Sequence, residues 1–306
     1  MFGRRADGRV LKKIDPIIAL TPYLMPMRCD AQVMSTYKLD YEKMARYIVE
    51  QGAKGNKFTF MELIFAAFVR SVSQLPEINR FVVNKRLYAR TQLTISFALL
   101  KETGDPDKIE ENTVKCYFDP RDTVFDVQRR VSKAIEENRR EEADNSTMKV
   151  AQLLLNPVLA NIVVALARFL DRYGIMPKYV LDASPFHTSM FFTQMASIGM
   201  PAVNHHIYNF GTTSLFVAMG SIQRETLVGP DGKVTRKRWL PVGFTADERI
   251  CAGAVWAKLV DRMMYYIAHL EELETPPEQV FFEEGNEYSV PQAKKEQKPQ
   301  QTSAAV

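Results

Sequence analysis

The spacing of apolar and polar positions changes period several times along this chain, and each change marks an element. Leu39 and Met44 stand at hydrophobic-staple spacing around Asp40, whose carboxylate can cap free amides. A helix is therefore expected to follow, with Met44, Ala45, Ile48 and Val49 on its apolar face and Gly52 at its stop. Thr59-Phe60-Met61-Glu62 is a capping box flanked by Phe58 and Leu63; it opens a second helix that Pro76 closes. The period then drops to two. Leu93, Ile95, Phe97 and Leu99 alternate with Thr94, Ser96 and Ala98, the pattern of a strand with one buried face. Thr123, with Asp126 three positions on, starts a third helix from about Val124 to Arg140, and an apolar helical segment spans Val150 to Arg172.

Strands return after that segment. Ser214 to Arg224 and Val234 to Phe244 flank Gly229-Pro230-Asp231-Gly232, turn chemistry that joins antiparallel neighbours. A last helix carries Trp256, Leu259, Val260, Met263, Ile267 and Leu270 on one stripe, a core-packing face. Helices interleaved with hairpin-linked strands predict an α+β domain: an antiparallel or mixed sheet with helices packed over it. The chain contains no Gly-Xaa-Gly-Xaa-Xaa-Gly, Walker-type loop or internal repeat, so nucleotide-binding and solenoid architectures lose their main warrants.

Composition narrows the function classes. The chain has 306 residues, is 46% hydrophobic and 25% charged, and carries a net charge of +4, far from the dense basic surface of a dedicated nucleic-acid binder. Cys29, Cys116 and Cys251 are too few and too scattered for a disulfide framework or a metal knuckle, which points to a reducing, cytoplasmic compartment. Four scattered histidines give no metal site. Residues 1–20 are basic without an apolar signal core and are expected to form a solvated arm; 21–280 form the folded domain; 281–306 form a polar tail, disordered from about Val290. The stretch Val150 to Leu170 approaches spanning length, but Gln152, Asn156, Pro157, Asn161 and Arg168 are costly in hydrocarbon. A buried or interface helix is expected instead, with a membrane-surface partner as the alternative.

Three passages carry a family resemblance. FTFMELIFAAFVRSVSQLPEIN ends in Pro76-Glu77-Ile78-Asn79, FFTQMASIG precedes a turn, and from Ser214 a strand ending in Gly leads through a charged hairpin into FTADERICAGAVWAKL and a long helix. In order and spacing these resemble the catalytic domain of the dihydrolipoyl acyltransferases of 2-oxo acid dehydrogenase complexes, whose fold chloramphenicol acetyltransferase shares. The similarity runs with gaps from about Pro22 to Glu278. It implies the two-layer CoA-dependent acyltransferase fold, a homotrimer, and coenzyme A or an acyl-CoA as ligand. The lipoyl and subunit-binding modules of such acyltransferases are not expected on this chain.

In the family, a His in His-Arg-Xaa-Xaa-Asp-Gly is the general base that strips a proton from an acceptor thiol or hydroxyl, while a Ser or Thr hydroxyl steadies the oxyanion. Laid on that pattern, this chain reads Asp247-Glu248-Arg249-Ile250-Cys251-Ala252-Gly253: Glu248 stands where the His belongs and Ala252 where the Asp belongs. A carboxylate with a reference pKa near ~4.3 is a poor base for this step unless burial raises it, and losing the usual base costs on the order of 100- to 10,000-fold. The resemblance therefore implies a degenerate site that acts as a CoA- or acyl-ligand-binding or scaffold subunit. The alternative is an active acyltransferase with a relocated base, His205 or His206 first and Glu248 second. Ser197 or Thr193 would supply the hydroxyl, with Ala196 on the Ser position if the turn is aligned from Gly199. Cys251, His187 and His269 are read as ordinary structural side chains.

Overall fold

In the computed structural model, which describes residues 5–101, 110–141 and 156–290, the chain runs β1 (Gly8–Val10), α1 (Pro16–Leu24), β2 (Gln32–Asp40), α2 (Tyr41–Ala53), α3 (Phe60–Gln74), β3 (Arg80–Val83) and β4 (Arg86–Arg90). It continues through β5 (Leu93–Lys101), β6 (Glu110–Phe118), α4 (Val124–Glu141), α5 (Pro157–Tyr173), α6 (Lys178–Ala183), β7 (Met190–Gln194), β8 (Leu215–Met219), β9 (Gln223–Val228), β10 (Val234–Asp247) and α7 (Gly253–Ala268). The large sheet has the order β2-β10-β8-β7-β5-β6, with β9 paired to the first half of β10; a small sheet has the order β1-β4-β3. Because β5 and β7, and β7 and β8, run parallel while the other pairs are antiparallel, the large sheet is mixed. This is the α+β layering that the alternating periods predict.

One face of the large sheet holds the core. Leu215, Val217 and Met219 of β8 and Val242, Phe244 and Ala246 of β10 share it with Ile95 and Phe97 of β5 and with α3 and α7. Helix α3 is buried on nearly every side, and its Phe65 meets Phe97, Phe118 and Phe192 at ring distances of 5.6, 6.4 and 5.1 Å. Its capping box forms as expected: Thr59 N–H donates to Glu62 at 2.7 Å, and Thr59 Oγ1 accepts from Glu62 N–H at 3.4 Å. The Thr123 and Asp126 box at the start of α4 forms likewise. The opposite face buries Phe191, Phe216 and Ile207, under a chain segment that crosses the sheet between β7 and β8. Gly220 and Gly243 let that segment lie close, since a Cβ at either would strike the backbone of Ala202 or Val203.

The structure departs from the sequence expectations in several places. Residues 5–20 are not a solvated arm: β1 pairs with β4, Leu11 is buried, and Arg5 is held by Asp7 at 2.8 Å and Asp171 at 2.7 Å. The basic character of the segment hid partners 166 residues away. Residues 281–290 are docked as well. Phe281 N–H donates to Ser73 O at 2.8 Å, Ser289 N–H donates to Thr91 O at 2.7 Å, and Glu284 accepts from the amides of Lys12 and Lys13. The rest of the expected tail, and the apolar segment before Asn156, lie outside the described residues. In α2 the buried stripe is Met44, Tyr47 and Gln51, and Val49 faces outward. Thr94 and Ser96 are buried too, so β5 is covered on both faces. The strand expected over 214–224 splits at Gly220 into β8 and β9, both paired with β10. Of the buried or interface helix expected over Val150 to Leu170, the described part, α5, excludes the buried alternative and leaves the interface one: Val158, Ile162, Leu166 and Phe169 are all more than half exposed.

Candidate functional site

The motif that resembles the acyltransferase signature lies where β10 ends and α7 begins. Asp247 is fully buried, and both its oxygens are taken: Arg249 grips them at 2.8 and 2.7 Å, and Arg28 Nε lies 3.3 Å from one. Arg249 also donates to the carbonyls of Met25 and Pro26, and Arg28 to those of Tyr208 and Gly211. Burial pulls the Arg28 guanidinium below its usual range, against the pull of Asp247. This carboxylate is a structural bolt, with no free lone pair aimed at a base.

Glu248 is half-buried, and its backbone N–H donates to Ala31 O at 2.9 Å, extending the β2–β10 ladder by one position. Strand alternation continued from Ala246 places residue 248 on the helix-covered side. Ala252 is the N-cap of α7 and has no side chain to accept from its first-turn amides; Gly253 follows as the first helical residue.

The other sequence candidates do not converge on residue 248. Ser197 lies in a single turn of 3-10 helix after β7, exposed, its hydroxyl donating to Gln194 O at 2.6 Å. Thr193 is half-buried; with Ser197 it lines a small cavity of about 90 Å3, and Ala196 sits in the same turn. Gln194 pairs with Met219, and Met219 with Val242, so the turn lies beyond the Val242 end of the sheet while Glu248 is six positions the other way. At about 3.3 Å per residue that is roughly 20 Å. One chain therefore keeps hydroxyl and carboxylate apart.

His205 and His206 lie on the face away from the helices. The His205 ring stacks on Phe216 at 4.1 Å and on His206 at 4.6 Å, and its Nδ1 donates to His206 O at 2.7 Å. Burial lowers the His205 pKa. Cys251 is buried, its thiol pushed up to about 12 by burial, and His269 is half-buried with Nδ1 donating to Tyr265 O. Among the described residues no cluster of His, Cys, Asp or Glu side chains could hold a metal.

His187 is more than an ordinary core residue. Its buried ring has Nδ1 2.7 Å from Ser184 Oγ and Nε2 3.3 Å from Asp171, which also binds Arg5. Burial alone would raise the Asp171 carboxyl, but the His187 contact and the Arg5 charge hold it below the usual range. A carboxyl depressed in the folded state contributes stability above its unfolded pKa of about 3.9 and loses it as pH falls through the lower folded value. Asp171→Asn should therefore flatten the acid limb of a stability-against-pH curve below about pH 4, read by thermal melts at successive pH values.

Sequence reasoning also missed a cavity of about 480 Å3 between the motif, the β3–β4 hairpin and α5. Its lining includes Arg28, Lys85, Arg168, Arg172 and Arg249, against Asp171 as the one carboxylate. These residues come from four separate segments, so no local pattern could have announced them.

Comparison with solved structures fixes the fold. A probable dihydrolipoamide acetyltransferase from Listeria monocytogenes 4b F2365 superposes with a TM-score of 0.52 at 11% identity, covering 88% of this chain and 97% of that one. The dihydrolipoamide acetyltransferase of Azotobacter vinelandii gives 0.49 at 14% identity over 87% and 94%, and a chloramphenicol acetyltransferase gives 0.44 at 9% over 85% and 99%. No protein-family model and no curated protein sequence matches the chain. The chain has the CoA-dependent acyltransferase fold of the 2-oxo acid dehydrogenase acyltransferase cores. No helix among the described residues is long and apolar enough to cross a membrane.

Proposed function

We propose that this protein is an acyltransferase-fold subunit that binds coenzyme A or an acyl-CoA without the proton-abstracting machinery of its structural relatives, and that it works as a cytoplasmic homotrimer in a binding or scaffolding role. The observation that carries the reading is the corner at residue 248. The glutamate that the resemblance aligns with the base is half-buried, the neighbouring Asp247 is consumed by two arginines, and Ala252 offers no orienting carboxylate. Assembly follows from the separation of the two half-sites. The Glu248 end is rimmed by exposed Val33 and Met34, the Ser197 end by exposed Ile198 and Met200. Exposed apolar edges at both ends favour a second copy that brings one half-site to the other.

The test is to titrate pure protein with acetyl-CoA by calorimetry, then to assay transfer to a panel of thiols and amines. The expected result is binding without efficient turnover, on a particle of trimer mass in sedimentation. Efficient transfer that disappears in Glu248→Gln, His205→Ala or His206→Ala would overturn the reading and assign the chemistry to the residue whose loss abolished it.

A further inference from the structure

The 480 Å3 cavity beside the motif has an unbalanced charge. Arg28 and Arg249, each almost fully buried, share the single carboxylate of Asp247 behind its wall. Three of the five N–H groups of Arg28 are used, by Asp247, Tyr208 O and Gly211 O, which leaves two without an acceptor among the described residues. Asp171 is already held by Arg5 and His187. Lys85, Arg168 and Arg172 stand exposed at the rim, and Arg172 donates to Asn84 at 3.2 Å, which fixes the hairpin tip against α5. A concave site with guanidinium groups at its base and further cations around its mouth matches the charge and the fork geometry of a phosphoryl group.

A second observation concerns the hairpin itself. Asn84 and Lys85 form the two-residue turn between β3 and β4, with φ of 48° and 61°. Two positive φ values define the turn type that strongly prefers Asn-Gly. Here the glycine position is occupied by a lysine in the left-handed region, whose ammonium lies over the Tyr23 ring at 5.1 Å and lines the cavity. For the fold alone a glycine would be the better residue. The lysine brings a charge to the cavity mouth that glycine could not supply.

We infer that the cavity is a binding site for a phosphoryl group, gripped at its base by the N–H groups of Arg28 that Asp247 and the two carbonyls leave free, with Arg249 adding its charge, and closed over by Lys85, Arg168 and Arg172. The phosphoryl group has three chemical sources: free phosphate, the phosphates of coenzyme A, or a phospholipid headgroup presented beside the exposed apolar residues of α1 and α5. The site does not depend on acyl transfer at residue 248.

The experiment compares three probes on the full-length protein at matched ionic strength: sodium phosphate against sodium chloride, coenzyme A, and vesicles containing phosphatidylglycerol. Phosphate should stabilise the protein against heat beyond the chloride control, and the probe that binds most tightly identifies the source. Lys85→Glu/Arg168→Glu/Arg172→Glu changes only exposed side chains and should weaken that probe by at least about tenfold. Lys85→Gly separates binding from folding, because it should raise Tm while weakening the same probe. The inference is overturned if phosphate and chloride stabilise equally and no other probe binds, or if the triple variant binds as well as the wild type. Coenzyme A binding that survives the triple variant would remove the cavity as its site while leaving the proposed CoA-binding function standing.

Discussion

Asp247→Ala should cost about 3–5 kcal/mol of folding stability, the range for removing one partner of a buried ion pair. The change strands Arg28 and Arg249, both almost fully buried, with only backbone carbonyls to face. It also removes one of the ties between the end of β10 and the loop that precedes β2, the Arg28–Asp247 pair, and leaves the bonds from Arg249 to Met25 O and Pro26 O and from Glu248 N–H to Ala31 O. Urea titration at neutral pH reads the loss directly. A midpoint close to that of the wild type would mean that water enters and solvates the two guanidinium groups, and Asp247 would then be ornamental to the fold.

The second large effect is a gain. Glu248→His combined with Ala252→Asp restores the imidazole and the acid that the acyltransferase pattern carries, and acetyl transfer from acetyl-CoA to a dithiol should rise on the order of 100- to 10,000-fold. The rate should climb with pH through an apparent pKa near about 6–7, as a histidine base requires. A flat pH profile with unchanged rate in the double variant would show that the seat at 248 does not face the ligand. If the proposed binding role holds, Glu248→Gln alone should leave the transfer rate at its wild-type value.

Much of the fold was legible because it rests on local rules. The capping boxes at Thr59 and Thr123, the alternation in β5 and the stripe of α7 are short-range patterns, and all four elements stand where those patterns put them. The misreadings came from long-range pairing. Nothing around Arg5 announces Asp171, and nothing in residues 281–290 announces the backbone of Ser73 and Thr91 to which they bind. Burial of Thr94 and Ser96 was invisible for a related reason. Polar residues signal an exposed face only when no second layer covers it, and here an adjoining segment does so. For the site, the motif order located residue 248, but the separation of Ser197 from it required the strand register. The cationic cavity was beyond sequence altogether, since its charges are contributed from opposite ends of the chain.

Strand β10 has two characters within one continuous run of hydrogen bonds. Its second half, between β2 and β8, is buried, whereas its first half is paired with β9 as an exposed ribbon with almost no side chain shielded. Amide hydrogens in the ribbon will therefore exchange with solvent by local fraying, while those from Leu240 onward wait for the whole domain to open. A single strand thus holds both the fastest and the slowest clocks of the sheet, and the boundary between them falls at Trp239.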